Sequence, residues 1–434
     1  MRSARLWAKM PGCENTVIER VDWHQAAATD PPGPKLSVTV HVRPHKRQAS
    51  RCGDCGKRRP GYDQGEGRRR WRALDPGTVT AELEAAAPRV ACPEHGAVVA
   101  AVPRARHGAR HTRFSGDQVA WLAAACSKTT ITELMRISWR TAGHIIERVA
   151  ADKAAGIDAL AGLRRIGIDE ISHKKGHKYL VIVVDHDSGR LVRAAPGRAR
   201  ATVHKFSGAL GADRTAALTH VSADGADWIA AVVAERAPGA VLCADPFHVV
   251  SRATEALDEA RRQVRDHARQ APGGSTVSGG VRARKTAAGD ARDLKRARYA
   301  LWKNPEDLTD GQQAKLAWVA RTHPCLYRAW LLKEGVRLPF KLKGHDGKQA
   351  LGRWLSWAAR CRIPEFVELA RKIRRHLESI HATLDHGLSN GLIESVNTKI
   401  RVITRMAFGF HNPAALIGLA MLALGGLRPA LPGR

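Results

Sequence analysis

Two short knuckles constrain this chain before anything else does. Cys52-Gly-Asp-Cys55 is followed, 37 residues after Cys55, by Cys92-Pro-Glu-His95. Each knuckle presents two soft or borderline ligands across a tight turn. Gly56 and Gly96 stand directly behind them, where such turns favour glycine. Four ligands of this kind suit the tetrahedron of a structural Zn²⁺. The spacing predicts a small zinc ribbon, and residues 36–42 and 78–84 alternate as its strands should. A redox pair, or four unrelated residues, is the plainer alternative. Cys13 is a weaker candidate ligand, while Cys126, Cys243, Cys325 and Cys361 suit buried small hydrophobes. Eight cysteines in 434 residues do not make a secreted disulfide scaffold and fit a reducing compartment.

The charge narrows the partners. The chain has 71 Lys+Arg against 41 Asp+Glu, a formal +30. With 44% apolar residues it is too hydrophobic for a disordered basic tail. The excess recurs in residues 1–150 and 251–390, which suits a polyanion crossing several domains as well as a generally basic surface. Residues 414–424 form an apolar stretch too short to span a bilayer at about 20 residues. The first twelve residues lack a signal-peptide core, so a cytoplasmic, nucleoid-associated protein with no membrane partner is expected. Arg69, Arg70 and Trp71 of the Arg68–Arg72 run suit a phosphate-tracking segment; a solvated basic loop is the alternative.

Residues 114–126, 130–135 and a third run after Ser138 read as three helices, with Ser115 and Ser138 as candidate caps. Ala142, Ile145, Ile146 and Val149 share one side of the third. Short helix, turn and capped helix make a helix-turn-helix, whose Trp139, Arg140 and Thr141 would meet DNA. Any three-helix bundle has a similar pattern.

Acids then fall at strand ends. Residues 165–171, 178–185 and 191–195 read as strands, as do 218–224 and 240–245, with a helix over 225–237. Asp169, Asp224 and Asp245 close three of these runs, while Asp185, Asp187 and Asp227 suit turns or a helix start. This is a mixed α/β sheet with acids where such sheets place sites. Far downstream, residues 389–401 begin a helix with a core stripe of Ile393, Val396, Ile400 and Ile403. Glu394, Asn397 and Arg401 lie beside it as a polar stripe. A Glu next to a buried face needs a cation: Arg401 in a salt bridge, or a metal.

The motifs GIDEIS around Asp169, Asp245-Pro-Phe-His248, SNGLIESVNTKIR and Ala407-Phe-Gly-Phe-His-Asn412 resemble bacterial insertion-sequence transposases of the ISL-three family. The knuckles, the YDQ…RRRWRALD segment and the 110–150 helices resemble that family's N-terminal half. The similarity covers nearly the whole chain. It implies a DDE-type enzyme with a ribonuclease-H-like catalytic domain, binding transposon terminal inverted repeats and target DNA as a homodimer or higher oligomer. It implies Mg²⁺ or Mn²⁺ on three carboxylates: Asp169 first, Glu394 last, and Asp224 second with Asp245 as rival. His248, Asn397 and Arg401 would support them; a structural role for His248 stands beside that. Family members often carry Arg where Pro246 stands and Cys where His95 stands.

The expected organisation is a zinc ribbon (1–105), helix-turn-helix (106–155), a catalytic part (160–250), an α-helical insertion (251–385) and a last catalytic part (386–426). The insertion is expected to be helical over 249–266, 294–302, 316–330, 351–360 and 365–384, with a mobile Gly/Ser-rich stretch at 268–290. It holds Trp302, Trp318, Trp330, Trp354 and Trp357. The resemblance makes Trp302 the first candidate to stack an extruded base, although core packing suits any single Trp. A DNA-binding regulator without catalysis, or a nuclease that cuts without joining, would share these modules.

Overall fold

The computed structural model describes residues 16–25, 36–102, 104–174, 176–224, 226–270, 289–410 and 412–432. Cys13 and most of the 268–290 stretch lie outside them. The chain divides into two units, residues 1–159 with 400–434, and residues 160–399.

In the first unit, seven strands come first among the described residues: β1 (Thr16–Gln25), β2 (Leu36–Pro44), β3 (Gly61–Asp63), β4 (Arg68–Arg72), β5 (Thr80–Ala86), β6 (Arg89–Cys92) and β7 (Gly96–Val99). One sheet has the order β1-β2-β5-β4 and a smaller one β3-β6-β7. Alternation along β2 and β5 buries Val38, Val40, Val42, Ala81, Leu83 and Ala85 as one core. Trp71 belongs to that core, only 5% exposed, so the expectation that it contacts DNA is corrected. The basic run is strand β4 rather than a loop. Pairing against Leu83 turns the indole inward, while Arg68 and Arg70 reach outward to Glu84 at 2.8 Å each.

Three helices follow: α1 (Arg113–Ala123), α2 (Lys128–Met135) and α3 (Trp139–Ala155). Ser127 and Ser138 cap α2 and α3 through Thr130 N–H and Thr141 N–H. The cap of α1 is Thr112 rather than Ser115, which lies buried inside the helix and donates its own N–H to Thr112 Oγ1. Val119, Ile131, Ile145, Ile146 and Val149 form the core of this bundle.

The second unit holds β8 (Arg165–Lys174), β9 (Lys178–Asp185), β10 (Leu191–Pro196), α4 (Arg200–Leu210), α5 (Ala212–Ala216), β11 (His220–Ala223), α6 (Asp227–Arg236) and β12 (Val241–Ala244). The sheet order is β10-β9-β8-β11-β12. The hairpin strands run antiparallel, whereas β8, β11 and β12 run parallel. This is the mixed sheet expected of the catalytic domain. Asp185 closes the hairpin by accepting Asp187 N–H and the Ser188 hydroxyl, as a turn acid should.

A helical insertion follows β12: α7 (Pro246–Gln270), helical residues 289–296, α8 (Arg298–Trp302), α9 (Asp310–Thr322), α10 (Pro324–Gly335), α11 (Leu338–Leu342), α12 (Gly344–Arg360), α13 (Pro364–Arg375) and α14 (Leu377–His386). Its core includes Leu257, Leu294, Leu301, Trp330, Trp354 and Phe366. Of the five insertion tryptophans, Trp330 and Trp354 are core, whereas Trp302 and Trp357 are about 40% exposed. The single helix expected over 365–384 is two, broken at His376, whose backbone leaves the helical region. Its ring lies 3.5 Å from Asp227.

Then come α15 (Gly391–Met406) and α16 (Pro413–Leu424). Within residues 386–426, expected as the last catalytic part, the chain up to Lys399 groups with the second unit and from Ile400 onward with the first. The reason is apolar. Leu419, Leu422 and Leu427 join the α1–α3 core, and Gly418 lets α16 approach Ala150 and Glu147 of α3 closely. Among the described residues, no helix is long and apolar enough to cross a membrane.

Candidate functional site

Two ligand constellations stand out, one in each unit. In the first, turns do the positioning. Gly56 N–H bonds Cys52 O and His95 N–H bonds Cys92 O. Gly56 and Gly96 follow at φ +67° and +72°, backbone that glycine adopts without steric cost. The knuckles bring Cys52, Cys55, Cys92 and His95 together, with their ligand atoms all within 4.8 Å of one another. Cys55 Sγ lies 3.8 Å from Cys92 Sγ, and His95 Nδ1 lies 3.5 Å from Cys92 Sγ and 3.8 Å from Cys52 Sγ. A tetrahedron with Zn–S and Zn–N of normal length requires about 3.8 Å between sulfurs and about 3.6 Å from sulfur to nitrogen. The residues therefore fit zinc. Burial pushes the Cys92 thiol up, but bonds from His95 and from the Glu94 and His95 amides outweigh it and hold the thiol at about 6. Such a group readily serves as thiolate.

The second constellation is built by strand register. Ile168 of β8 pairs with Ala223 of β11, and Ala223 with Ala244 of β12. The next residue on each parallel strand is an acid. Asp169, Asp224 and Asp245 thus stand side by side across three neighbouring strands, which lie about 4.8 Å apart in a sheet. Asp245 N–H donates to Ala223 O at 3.1 Å, continuing the ladder. Asp169 is 9% exposed and Asp245 2% exposed. Burial raises the Asp169 carboxyl to about 6, and the nearby Asp224 charge adds to the rise. The Glu170 amide and Asn397 oppose that rise as hydrogen-bond donors, and His248 opposes it through its charge.

Helix α15 closes the row. Asn397 Nδ2 donates to Asp169 Oδ2 at 2.7 Å. Asn390, just before the helix, gives its N–H to Asp245 Oδ1 at 3.2 Å. Asn390, Glu394 and Asn397 are spaced i, i+4 and i+7, so Glu394 shares the helix face that meets the acids. Gly167 permits this approach: a Cβ there would lie 2.1 Å from Ile393 Cδ1. Among the described residues, Asp245 Oδ2, both amide atoms of Asn390, Asn397 Oδ1 and Glu170 Oε1 are buried without a hydrogen-bond partner. So many unpaired polar atoms in one place call for a polar occupant. The side chains gathered here are rich in oxygen donors, the kind that hard divalent cations prefer.

His248 Nε2 lies 3.8 Å from Asp245 Oδ2, and Arg401 is exposed. Sequence reasoning missed Asn390 and Glu170. The spacing of Asn390 to Glu394 and Asn397 was the available signal for the first; for Glu170 there was none. The expected DNA contacts distribute differently. Trp139 and Arg140 are exposed at the start of α3, while Thr141 is half-buried with its hydroxyl 2.9 Å from the capping Ser138. Arg69, half-buried, pairs with Glu66, and the exposed Arg70 with Glu84. Trp302 borders a groove of about 900 Å³ of mixed charge, in which Arg252, Arg262, Lys372 and Arg375 stand among Asp227, Glu255, Asp258, Glu259, Glu365 and Glu368.

A zinc-type ribbon, a capped three-helix module of helix-turn-helix form and a mixed sheet with an aligned acid row define a multidomain protein built like those that act on DNA. Family models agree piece by piece: a zinc finger of IS204/IS1001/IS1096/IS1165 transposases over residues 48–95, a helix-turn-helix domain of transposase family ISL3 over 100–150, and an ISL3-type transposase domain over 166–419. The chain belongs to the ISL3 family of transposases. It is 59% identical over 440 residues to the transposase for insertion sequence element IS1557 of Mycobacterium tuberculosis, covering all of this chain and 98% of that protein. It is 23% identical over 425 residues to the transposase for insertion sequence element IS1001 of Bordetella parapertussis, covering 95% and 96%.

Proposed function

We propose that the chain is a DDE transposase that binds the terminal inverted repeats of its element, cleaves at the ends and joins them to target DNA, working as a homodimer or higher oligomer. The observation that carries this reading is the row of acids on three parallel strands, closed by the helix bearing Glu394. Asp169, Asp224 and Glu394 are the metal-holding carboxylates. Bound Mg²⁺ or Mn²⁺ would activate a water or 3′-hydroxyl and stabilise the leaving oxygen of an in-line displacement. Asn397 and the Glu170 amide fix the two oxygens of Asp169. Asp245, pinned by the Asn390 amide and nearly inaccessible, orients the segment entering α15, whereas the half-exposed Asp224 stays open to phosphate. His248 favours the charged form of Asp169. Arg69, Arg70, Arg140 and Trp302 contact DNA.

The test is an oligonucleotide assay with Mg²⁺ and a duplex carrying the element's end. Wild type is expected to give strand-transfer products. Asp169→Asn is expected to abolish cleavage while DNA binding persists. Retained cleavage in that variant overturns the metal assignment, and cleavage without joining in wild type reduces the protein to a nuclease.

A further inference from the structure

Helix α15 ends with Gly409 N–H on Thr404 O at 2.9 Å and Phe408 N–H on Arg405 O at 3.0 Å. In this Schellman pattern the residue at the position of Phe408 takes left-handed backbone and is usually glycine. Phe408 sits there at φ +51° although Gly409 is its neighbour. The side chain suffers the left-handed steric penalty and yet is 80% exposed. Arg136 makes a useful contrast. It ends α2 in the same way at φ +52°, but its guanidinium reaches Thr78 O at 3.0 Å and Asp75 Oδ2 at 3.2 Å. Strain at Arg136 is offset by tying the helix-turn-helix to the preceding sheet.

Among the described residues no tie of that kind holds Phe408. Its ring lies 6.1 Å from that of Trp139, tilted by 44°. Trp139 is the first residue of α3, is 39% exposed, and has Lys128 Nζ 4.9 Å from its ring. Arg140 beside it and Arg405 one turn before Phe408 are exposed as well. An exposed aromatic pair among cations, at the N-terminus of a recognition helix, suits DNA better than an apolar partner.

We propose that Phe408 and Trp139 form a composite apolar contact to duplex DNA, in which the C-terminal segment lends the helix-turn-helix a second reading element. The inference rests on α3 being the recognition helix. Rings laid on base edges or thymine methyls discriminate sequence without neutralising phosphates. They strengthen specific binding and leave its salt dependence unchanged.

The experiment compares the full chain and its variants on a duplex of the inverted repeat flanking the gene and on a scrambled duplex. Phe408→Asn and Phe408→Gly both accept left-handed backbone. They are expected to keep or raise the Tm, to weaken repeat binding by about tenfold, and to leave scrambled binding and the salt slope unchanged. Wild-type affinity in both variants overturns the inference, as does a Tm that falls together with binding. Arg140→Ala separates the two readings. If it weakens repeat binding while the Phe408 variants do not, only this inference fails. If all three bind as wild type, the recognition-helix reading fails with it.

Discussion

The cysteine cluster and the acid row solve opposite problems. The cluster draws its four ligands from two knuckles of one small module, and its donor atoms already stand at tetrahedral distances. The row gathers acids from β8 and from the ends of β11 and β12, together with a helix more than 140 residues further on, and leaves several buried polar atoms unpaired. A closed set of this kind suits structure; an open, underpaired set suits a reaction, because vacant coordination positions must admit substrate. Within the described residues the cluster is the sole group of three or more such donors drawn to ion-holding distance.

If that division holds, the largest effect belongs to the cluster. Structural zinc in small modules contributes on the order of 10 kcal/mol to folding. Cys55→Ser or Cys92→Ser is expected to unfold residues 36–102, read as lost zinc stoichiometry and new proteolytic cuts in that segment. A variant that keeps one zinc and resists protease would break the comparison.

Asp169 gives the next effect, with a sign that sets the row apart. Its carboxyl is raised from 3.8 to about 6, chiefly by burial. Stability from this group is complete below the unfolded value and is lost as pH rises through about 6. The native row therefore bears a penalty near neutral pH of about 2–3 kcal/mol. In chelator, Asp169→Asn is expected to have a higher Tm than wild type at pH 8, a difference vanishing near pH 4. Asn397 can turn its unpaired Oδ1 toward the new amide. Equal Tm values across that range would remove the electrostatic account of the row.

A smaller effect is expected at Gly167. Alanine there presses on Ile393, and overpacking of this kind costs about 1–3 kcal/mol. Because Ile393 precedes Glu394, end cleavage is expected to fall about 10–100-fold, as when supports of metal ligands are lost. Adding Ile393→Ala is expected to restore much of the Tm. A Gly167→Ala variant with normal stability and cleavage would show that α15 has slack.

What was legible in the sequence follows the same contrast. The knuckles are local, so spacing and trailing glycines sufficed. Asp224 and Asp245 were visible as strand ends, whereas Asp169, read as one, lies in the middle of β8; their shared row depends on the sheet order β9-β8-β11-β12, which no local pattern encodes. Asn390 had only its spacing to Glu394 and Asn397 to mark it, because its role is a backbone N–H offered to a residue 145 positions earlier. Trp71 was misread because a lone indole among arginines resembles a basic loop until β5 supplies the apolar face beside it. The return of residues 400–432 to the α1–α3 bundle was equally hidden, since α16 is apolar on nearly every side and its sequence names no partner.

The register that aligns Ile168, Ala223 and Ala244 also determines where this architecture tolerates growth. Main-chain ladders hold the three acids abreast, so the length of polypeptide looping out between one strand and the next has little bearing on their separation. The helical segment between β12 and α15 has room to vary only away from the sheet, since Thr383 of α14 donates its hydroxyl to Ala244 O of β12 at 2.6 Å and Ala244 belongs to the insertion's core. A single-residue deletion inside β11, by contrast, would turn Asp224 to the opposite side of the sheet.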